Sequence, residues 1–309
     1  MCDISNPIFH NETKARRFLE AQRWADGVFC PYCGQFDTVR QLAGKYKNTG
    51  WHHCNDCRKK FTVRVGTLYE RSHIPLHKWL LATHLMCSSK KGISAHQLHR
   101  MLGITYKSAW FMAHRIREGM REGKPEGGLG GQNKVVEVDE TYVGGKAKNA
   151  KRGAPIPEKE PVITLLERDG QVRSFHVMSV NGATLGPILR TQIDRKSYLM
   201  TDESRVYMGI GKEYAGHGSV NHSIDEYVRG GFWHTNTVEG YFSIFKRGIY
   251  GVFQHVSQQH LKRYLAEFDF RYNYRIKLGY NDADRMLVAL KGIEGKRLTY
   301  RRTYEGAHA

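Results

Sequence analysis

Two Cys-x-x-Cys pairs constrain this chain more than any other feature: CPYC at Cys30 and Cys33, and CNDC at Cys54 and Cys57, with 20 residues between the pairs. Two residues between thiols let one turn present both to a single tetrahedral ion. The intervening segment is long enough for a β-ribbon, here from TVRQLA and WHHC. A redox pair needs only one Cys-x-x-Cys, and disulfides need an oxidising compartment. The four cysteines are therefore expected to bind zinc as a closed tetrathiolate, which leaves no open coordination position and makes the ion structural. Cys2 and Cys87 lack such neighbours and read as plain thiols.

Charge points to a polyanion. The chain of 309 residues has 48 Lys+Arg against 30 Asp+Glu, a formal balance of +18, which favours partners that release counterions. Between Arg40 and Lys124 stand 17 basic and 4 acidic residues, so +13 of that charge lies in the N-terminal part. A merely solubilising surface spreads its charge more evenly. No apolar run approaches the roughly 18 residues of a membrane span, and the N-terminal MCDISNPIFHNETKARRFLE lacks the apolar stretch of a signal peptide. A cytoplasmic protein without membrane contact is expected.

After the ribbon, an amphipathic helix begins near Pro75, with Leu76, Trp79, Leu80, Ala82 and Leu85 on its apolar side. A second helix runs from a Ser94 cap to Leu102, Gly103 makes the turn, and a third runs from Thr105 to about Met120. Helix, glycine turn, helix is the helix-turn-helix pattern, whose second helix reads the major groove. Any small helical hairpin shares that pattern; beside a zinc ribbon and the basic balance it points to double-stranded DNA. Tyr106, Lys107 and Ser108 are the candidate base-facing residues, with Arg115 and Arg117 for phosphates. The Gly-rich REGKPEGGLGGQNK, residues 121–134, reads as a linker.

Beyond the linker the pattern becomes α/β. KVVEVDETYVGG is a buried strand carrying Asp139; KAKNAKRGAPIPEKE is a basic loop; PVITLLERDGQVRSFHVMSV is a hairpin turning at Asp169-Gly170. GATLGPILRTQI is a helix, SYLMTDES a fourth strand ending at Asp202, and GSVNHSIDEYVRG can supply a fifth before the aromatic helix WHTNTVEGYFSIFKRGIYG. That helix carries Glu239 and Lys246, which lie on one face about 10.5 Å apart at about 1.5 Å per residue. Helical ion pairs prefer a spacing of three or four, and Phe242 and Ser243 occupy those offsets, so neither charge is expected to have a local partner on that face. The strand and helix order is that of a ribonuclease H-like domain, whose carboxylates hold two divalent ions around a phosphodiester. A lone Asp at a strand end is more often a turn or cap residue; the combination is what suggests chemistry. Trp233 and His234 could touch DNA or simply pack, and Leu261, Tyr264, Leu265 and Phe268 are spaced for a core.

Over residues 24–274 the chain resembles the DDE transposases of bacterial insertion sequences, in the ISXO-type branch with an N-terminal zinc ribbon. The likeness rests on CPYC…CNDCRKKFTVRVGT, ITYKSAWFMAHRIR, VVEVDETYVGG, MTDES and HTNTVEGYFSIFKRGIYG. It implies a catalytic set of Asp139, Asp202, Glu239 and Lys246, with Mg2+ or Mn2+ on the three carboxylates and Lys246 holding the DNA backbone. The 36 residues between Asp202 and Glu239, and an acid at the third position, fit an active enzyme. It also implies terminal inverted-repeat binding, strand cleavage and strand transfer, with a homo-oligomer expected from synapsis of two ends. The organisation expected is a helical segment over 1–23, the zinc ribbon over 24–70, the helix-turn-helix region over 71–120, the linker, the ribonuclease H-like domain over 135–275 and a tail over 276–309. Glu137, Glu140 and Glu203 are set aside as neighbours of the proposed ligands. Two rival functions are a ribonuclease H-like nuclease or junction resolvase, and a zinc-ribbon DNA-binding regulator without catalysis.

Overall fold

The computed structural model describes residues 3–46, 49–122, 127–144, 159–220 and 232–299. Contacts divide the chain into two units, one of residues 1–89, 93–121 and 280–309, the other of residues 90–92 and 122–279. No helix among the described residues is long and apolar enough to cross a membrane.

In the first unit, α1 (Glu12–Arg23) starts where Asn11 accepts a hydrogen bond from the Lys14 N–H. Three short antiparallel strands follow in the order β1-β2-β3: β1 (Val39–Gln41), β2 (His52–Cys54) and β3 (Lys60–Phe61). Buried Trp24 stands edge-on to His52 and Phe61, giving this small sheet an aromatic floor. α2 (Leu76–Ser88) buries Leu76, Trp79, Leu80 and Ala82 as expected. Met86 and Cys87 are buried beside them, whereas Leu85 is only half-buried. α3 (Ala95–Leu102) and α4 (Tyr106–Met120) have the expected punctuation. Ser94 accepts from the Gln97 N–H, Gly103 turns with φ +58°, and Thr105 accepts from the Ser108 N–H.

The C-terminal segment contains α9 (Asp282–Lys291), started by a reciprocal cap between Asn281 and Asp284. It buries Met286, Ala289 and Leu290 and packs on α2 and α4. Contact is close at its end: a Cβ on Gly292 would lie 2.2 Å from the Gly119 carbonyl oxygen, so only glycine fits.

The second unit is built on a five-stranded mixed sheet, consistent with the ribonuclease H-like expectation. Its elements are β4 (Val135–Val143), β5 (Glu160–Glu167), β6 (Val172–His176), α5 (Gly182–Gln192), β7 (Tyr198–Asp202), α6 (Arg205–Gly211), β8 (Gly216–Val220), α7 (Asn236–Gly248) and α8 (Gln258–Asn273). The order across the sheet is β6-β5-β4-β7-β8, with β4, β5 and β6 antiparallel and β7 and β8 parallel to β4. Asp169 takes φ +59° at the hairpin turn. The fifth strand begins at Gly216, slightly before the expected stretch; residues 221–231 and the basic loop over 145–158 lie outside the described residues.

Strand parity assigns the faces. Val136 and Val138 join Leu185, Leu189, Leu199 and Tyr207 in the core under α5 and α6. Val143 joins Val238, Phe242, Phe245, Leu261 and Phe268 in the core under α7 and α8. Glu137 and Asp139 therefore belong to the α7 side and Glu140 to the α6 side.

Candidate metal centres and nucleic-acid interface

The ribbon brings its two cysteine pairs together. Sγ of Cys30 lies 3.5 Å from that of Cys57, and Sγ of Cys33 lies 3.6 Å from that of Cys54. All four sulfurs fall within 4.8 Å of one another. A tetrahedron with Zn–S bonds of about 2.3 Å has sulfur edges of about 3.8 Å, so the cage fits zinc. The four sulfurs also perturb one another's thiols. The Cys57 N–H, with help from Asp56, pulls the Cys54 thiol down to about 6. At Cys33 the Gln35 N–H pulls downward, but burial and the other three sulfurs push the thiol up to about 12.

In the second unit the carboxylates converge by register. β4 and β7 run parallel with Val135 opposite Tyr198 and Glu137 opposite Met200. Carried two residues further, that register would set Asp139 level with Asp202 on the same face. Ligand oxygens of Asp139, Glu140 and Asp202 lie within 4.8 Å of one another. Asp139 is pushed up to about 7, first by burial and then by the negative charges of Glu140, Asp202 and Glu239, against the pull of the Glu140 N–H. A crowd of half-buried carboxylates of this kind is chemically suited to hard divalent cations.

Glu140, set aside on sequence grounds, therefore stands in the carboxylate cluster. Its side chain leaves β4 on the α6 side, where the Tyr207 hydroxyl donates to it at 2.5 Å. Burial raises Glu140, while that bond lowers it. Adjacency to Asp139 was the available signal: strand alternation turns neighbouring side chains to opposite faces, yet one carboxylate oxygen of each lies within 4.8 Å of the other. Asp202 accepts from the Ser204 N–H at 3.0 Å.

Glu239 lies in the first turn of α7, half-buried, and its charge acts on Asp139. It does have a local partner: the Thr235 hydroxyl, one turn before it, donates at 2.9 Å. Offsets toward the helix C-terminus could not reveal this. Lys246 is exposed near the other end of α7, with Nζ 5.9 Å from the Phe242 ring centroid.

Glu137, the second residue set aside, is fully buried. It accepts from Thr237 N (2.9 Å), Thr237 Oγ1 (2.8 Å), Val238 N (2.9 Å) and Arg168 Nε (2.6 Å). The remaining Arg168 nitrogens donate to the carbonyls of Phe232 and His234, both at 2.8 Å. Trp233 packs rather than waits for a base: it meets Phe232 edge-on at 5.2 Å, and its ring covers Gly218. Glu203 contributes no oxygen to the cluster.

In the helix-turn-helix, Tyr106 and Lys107 are exposed at the start of α4, and Tyr106 stacks on His96 at 4.2 Å. The Ser108 hydroxyl accepts from Thr105 and is half-buried. Of the two arginines, Arg117 departs from the expectation. Arg117 is 2% exposed, because that position of α4 faces the helical core, and so it is not at a phosphate-facing surface. Arg115 donates to the carbonyls of Glu70 and Leu298, which leaves it half-committed to the fold. It lines a cavity of about 220 Å3 together with Arg71 and Arg297.

Comparison with known proteins agrees with both units. Residues 129–273 match the ISXO2-like transposase domain family, and residues 10–60 match the transposase zinc-ribbon domain family. An uncharacterized protein in transposable element ISH50 of Halobacterium salinarum is 29% identical over 281 residues, covering 85% of this chain and 91% of its own length. A chain of the simian T-cell lymphotropic virus intasome, solved in complex with PP2A regulatory subunit B56 gamma, aligns at 15% identity. That alignment spans 56% of this chain and 63% of the other, with a TM-score of 0.29, too low to bear on fold or function.

Proposed function

We propose that the chain is an ISXO2-like transposase carrying a transposase zinc ribbon, as the matches to both domain families support, and that it binds the terminal inverted repeats of an insertion sequence and catalyses DNA strand cleavage and strand transfer. The observation that carries the reading is the convergence of Asp139 and Asp202, borne on neighbouring parallel strands, with ligand oxygens within 4.8 Å of one another and Glu239 close enough for its charge to act on Asp139.

Asp139, Asp202 and Glu239 would hold Mg2+ or Mn2+, and Glu140 is placed to join them. When bound, such ions supply Lewis-acid stabilisation to the attacking and leaving oxygens of a phosphodiester. Water opens the bond at the element end and frees a 3′-hydroxyl; that hydroxyl attacks a phosphodiester of target DNA and displaces another 3′-hydroxyl. No covalent bond to the protein is needed. Lys246, two turns from Glu239, fits a point-charge contact to the backbone. The zinc ribbon and the exposed start of α4, Tyr106 and Lys107, are the proposed DNA-reading parts. A pair of element ends would call for a homo-oligomer.

Incubation of the full chain with Mg2+ and labelled element-end duplex tests the reading. Nicked and joined products are expected, and Asp139→Asn should lose both while still binding the duplex. Nicking without joining favours a nuclease or resolvase. Binding without nicking favours a regulator.

A further inference from the structure

Glu137 is a buried carboxylate that the proposed chemistry does not use, and it makes four hydrogen bonds at 2.6–2.9 Å. Burying an ionised carboxylate is costly unless it is fully bonded and paired. Here the pairing is directional. Two of the four donors are backbone N–H groups in the first turn of α7, where the helix dipole favours a negative charge. The third is the Thr237 hydroxyl, and the fourth is Arg168.

Position gives these bonds their meaning. Glu137 precedes Asp139 by two residues on the same face of β4, a step of about 6.6 Å along a strand. Val238, which it binds, immediately precedes Glu239. The tie thus joins the strand bearing one candidate ligand to the helix bearing another, two residues upstream of Asp139 and one upstream of Glu239. Arg168 extends the clasp by holding the carbonyls of Phe232 and His234, in the segment that leads into α7.

We propose that Glu137 is a positioning residue: with Arg168 it fixes the first turn of α7 to β4 and so sets the reach of Glu239 toward Asp139. The inference rests on the reading of Asp139, Asp202 and Glu239 as metal-holding carboxylates. It requires that Glu137 act through Glu239 and not by general support of the fold.

A double-mutant cycle on the zinc-loaded full chain, read by paramagnetic resonance of free Mn2+ during titration, tests this without reference to activity. Glu137→Gln keeps the shape but turns an NH2 group toward donors; it should weaken Mn2+ binding by about tenfold, the lower end for groups that orient metal ligands. In a Glu239→Gln background the same change should cost nothing further. Equal affinity of Glu137→Gln and the parent chain overturns the proposal, and so does a loss that persists undiminished in the Glu239→Gln background. If Glu137→Gln does not fold, Thr237→Val takes its place in the cycle. It removes one of the four donors at constant shape, and its smaller loss should likewise vanish without Glu239; persistence overturns the proposal. Asp139→Asn separates the two levels: unchanged Mn2+ binding in that variant sinks the metal reading itself, whereas lost binding with an additive cycle sinks only the role of Glu137.

Discussion

Asp139 and Asp269 are both pushed up to about 7, and in both the first cause is burial. Their neighbours separate them. Asp139 is surrounded by further carboxylates, an arrangement that a cation relieves. Asp269 is surrounded by donors: Tyr241 Oη at 2.5 Å, Ser174 Oγ at 2.7 Å and Ser174 N at 2.8 Å. Its burial outweighs those bonds, so its role is structural, tying α8 to α7 and β6. A folded-state value raised above the ordinary 3.8 means that the folded chain holds a proton which the unfolded chain has released. The stabilising contribution is full below about 4 and fades as pH rises through about 7. Asp139 titrates in the same window, so the comparison must be with Asp269→Asn and not with pH alone. The parent chain should lose stability relative to Asp269→Asn between pH 4 and 8, measured as the difference in Tm; parallel curves would remove Asp269 as the cause. At the other site, millimolar Mn2+ should raise the Tm of the parent chain and leave Asp139→Asn nearly unmoved, because only a ligand bound by the folded state stabilises it.

Among the elements, what could be read in advance was what local chemistry decides. Ser94, Gly103 and Thr105 punctuate α3 and α4 through bonds and torsions that span only three or four residues. Ser94→Ala should therefore cost about 1 kcal/mol in denaturant unfolding, the usual worth of such a cap. Gly103→Ala should cost about 1 kcal/mol for its left-handed torsion alone, since no atom lies within 4 Å of where the new Cβ would sit. Gly248 is the contrasting case. A Cβ there would meet the Phe268 ring at 2.3 Å and the Lys91 carbonyl at 2.6 Å, so Gly248→Ala should displace α7 and weaken Mn2+ binding as well as stability. The sheet was legible as a succession of strands, and Asp139 and Asp202 as strand-borne acids. The role of Glu137 was not, because three of its four donors lie about 100 residues further along the chain. The burial of Arg117 was hidden for a related reason: which side of α4 faces the core depends partly on α9, far away in sequence.

At the scale of the whole molecule, charge and zinc are the two features that serve the proposed DNA partner together. A basic stretch with +13 between Arg40 and Lys124 holds the second cysteine pair and the helix-turn-helix, so part of the charge that duplex DNA would meet lies on the ribbon itself. Cys54→Ser should remove zinc, measured by metal analysis of the purified chain, and loosen the ribbon, because such small sheets draw their folding energy from the ion. Binding itself should be steeply salt-dependent, each neutralised phosphate contributing a slope of about −0.9 in log affinity against log salt. Arg71 and Arg297 are exposed at the cavity shared with Arg115, whose guanidinium is already depressed by burial and by the charge of Arg297. An anion arriving there would meet these cations with Glu70 as the acidic lining residue among the described residues. If the DNA backbone is that anion, replacing Arg71 and Arg297 by Ala should lower the slope by about two while leaving sequence preference unchanged. Weaker binding at an unchanged slope would instead mean that the substitutions had disturbed the fold, and an unchanged affinity would place the DNA path elsewhere on the basic surface.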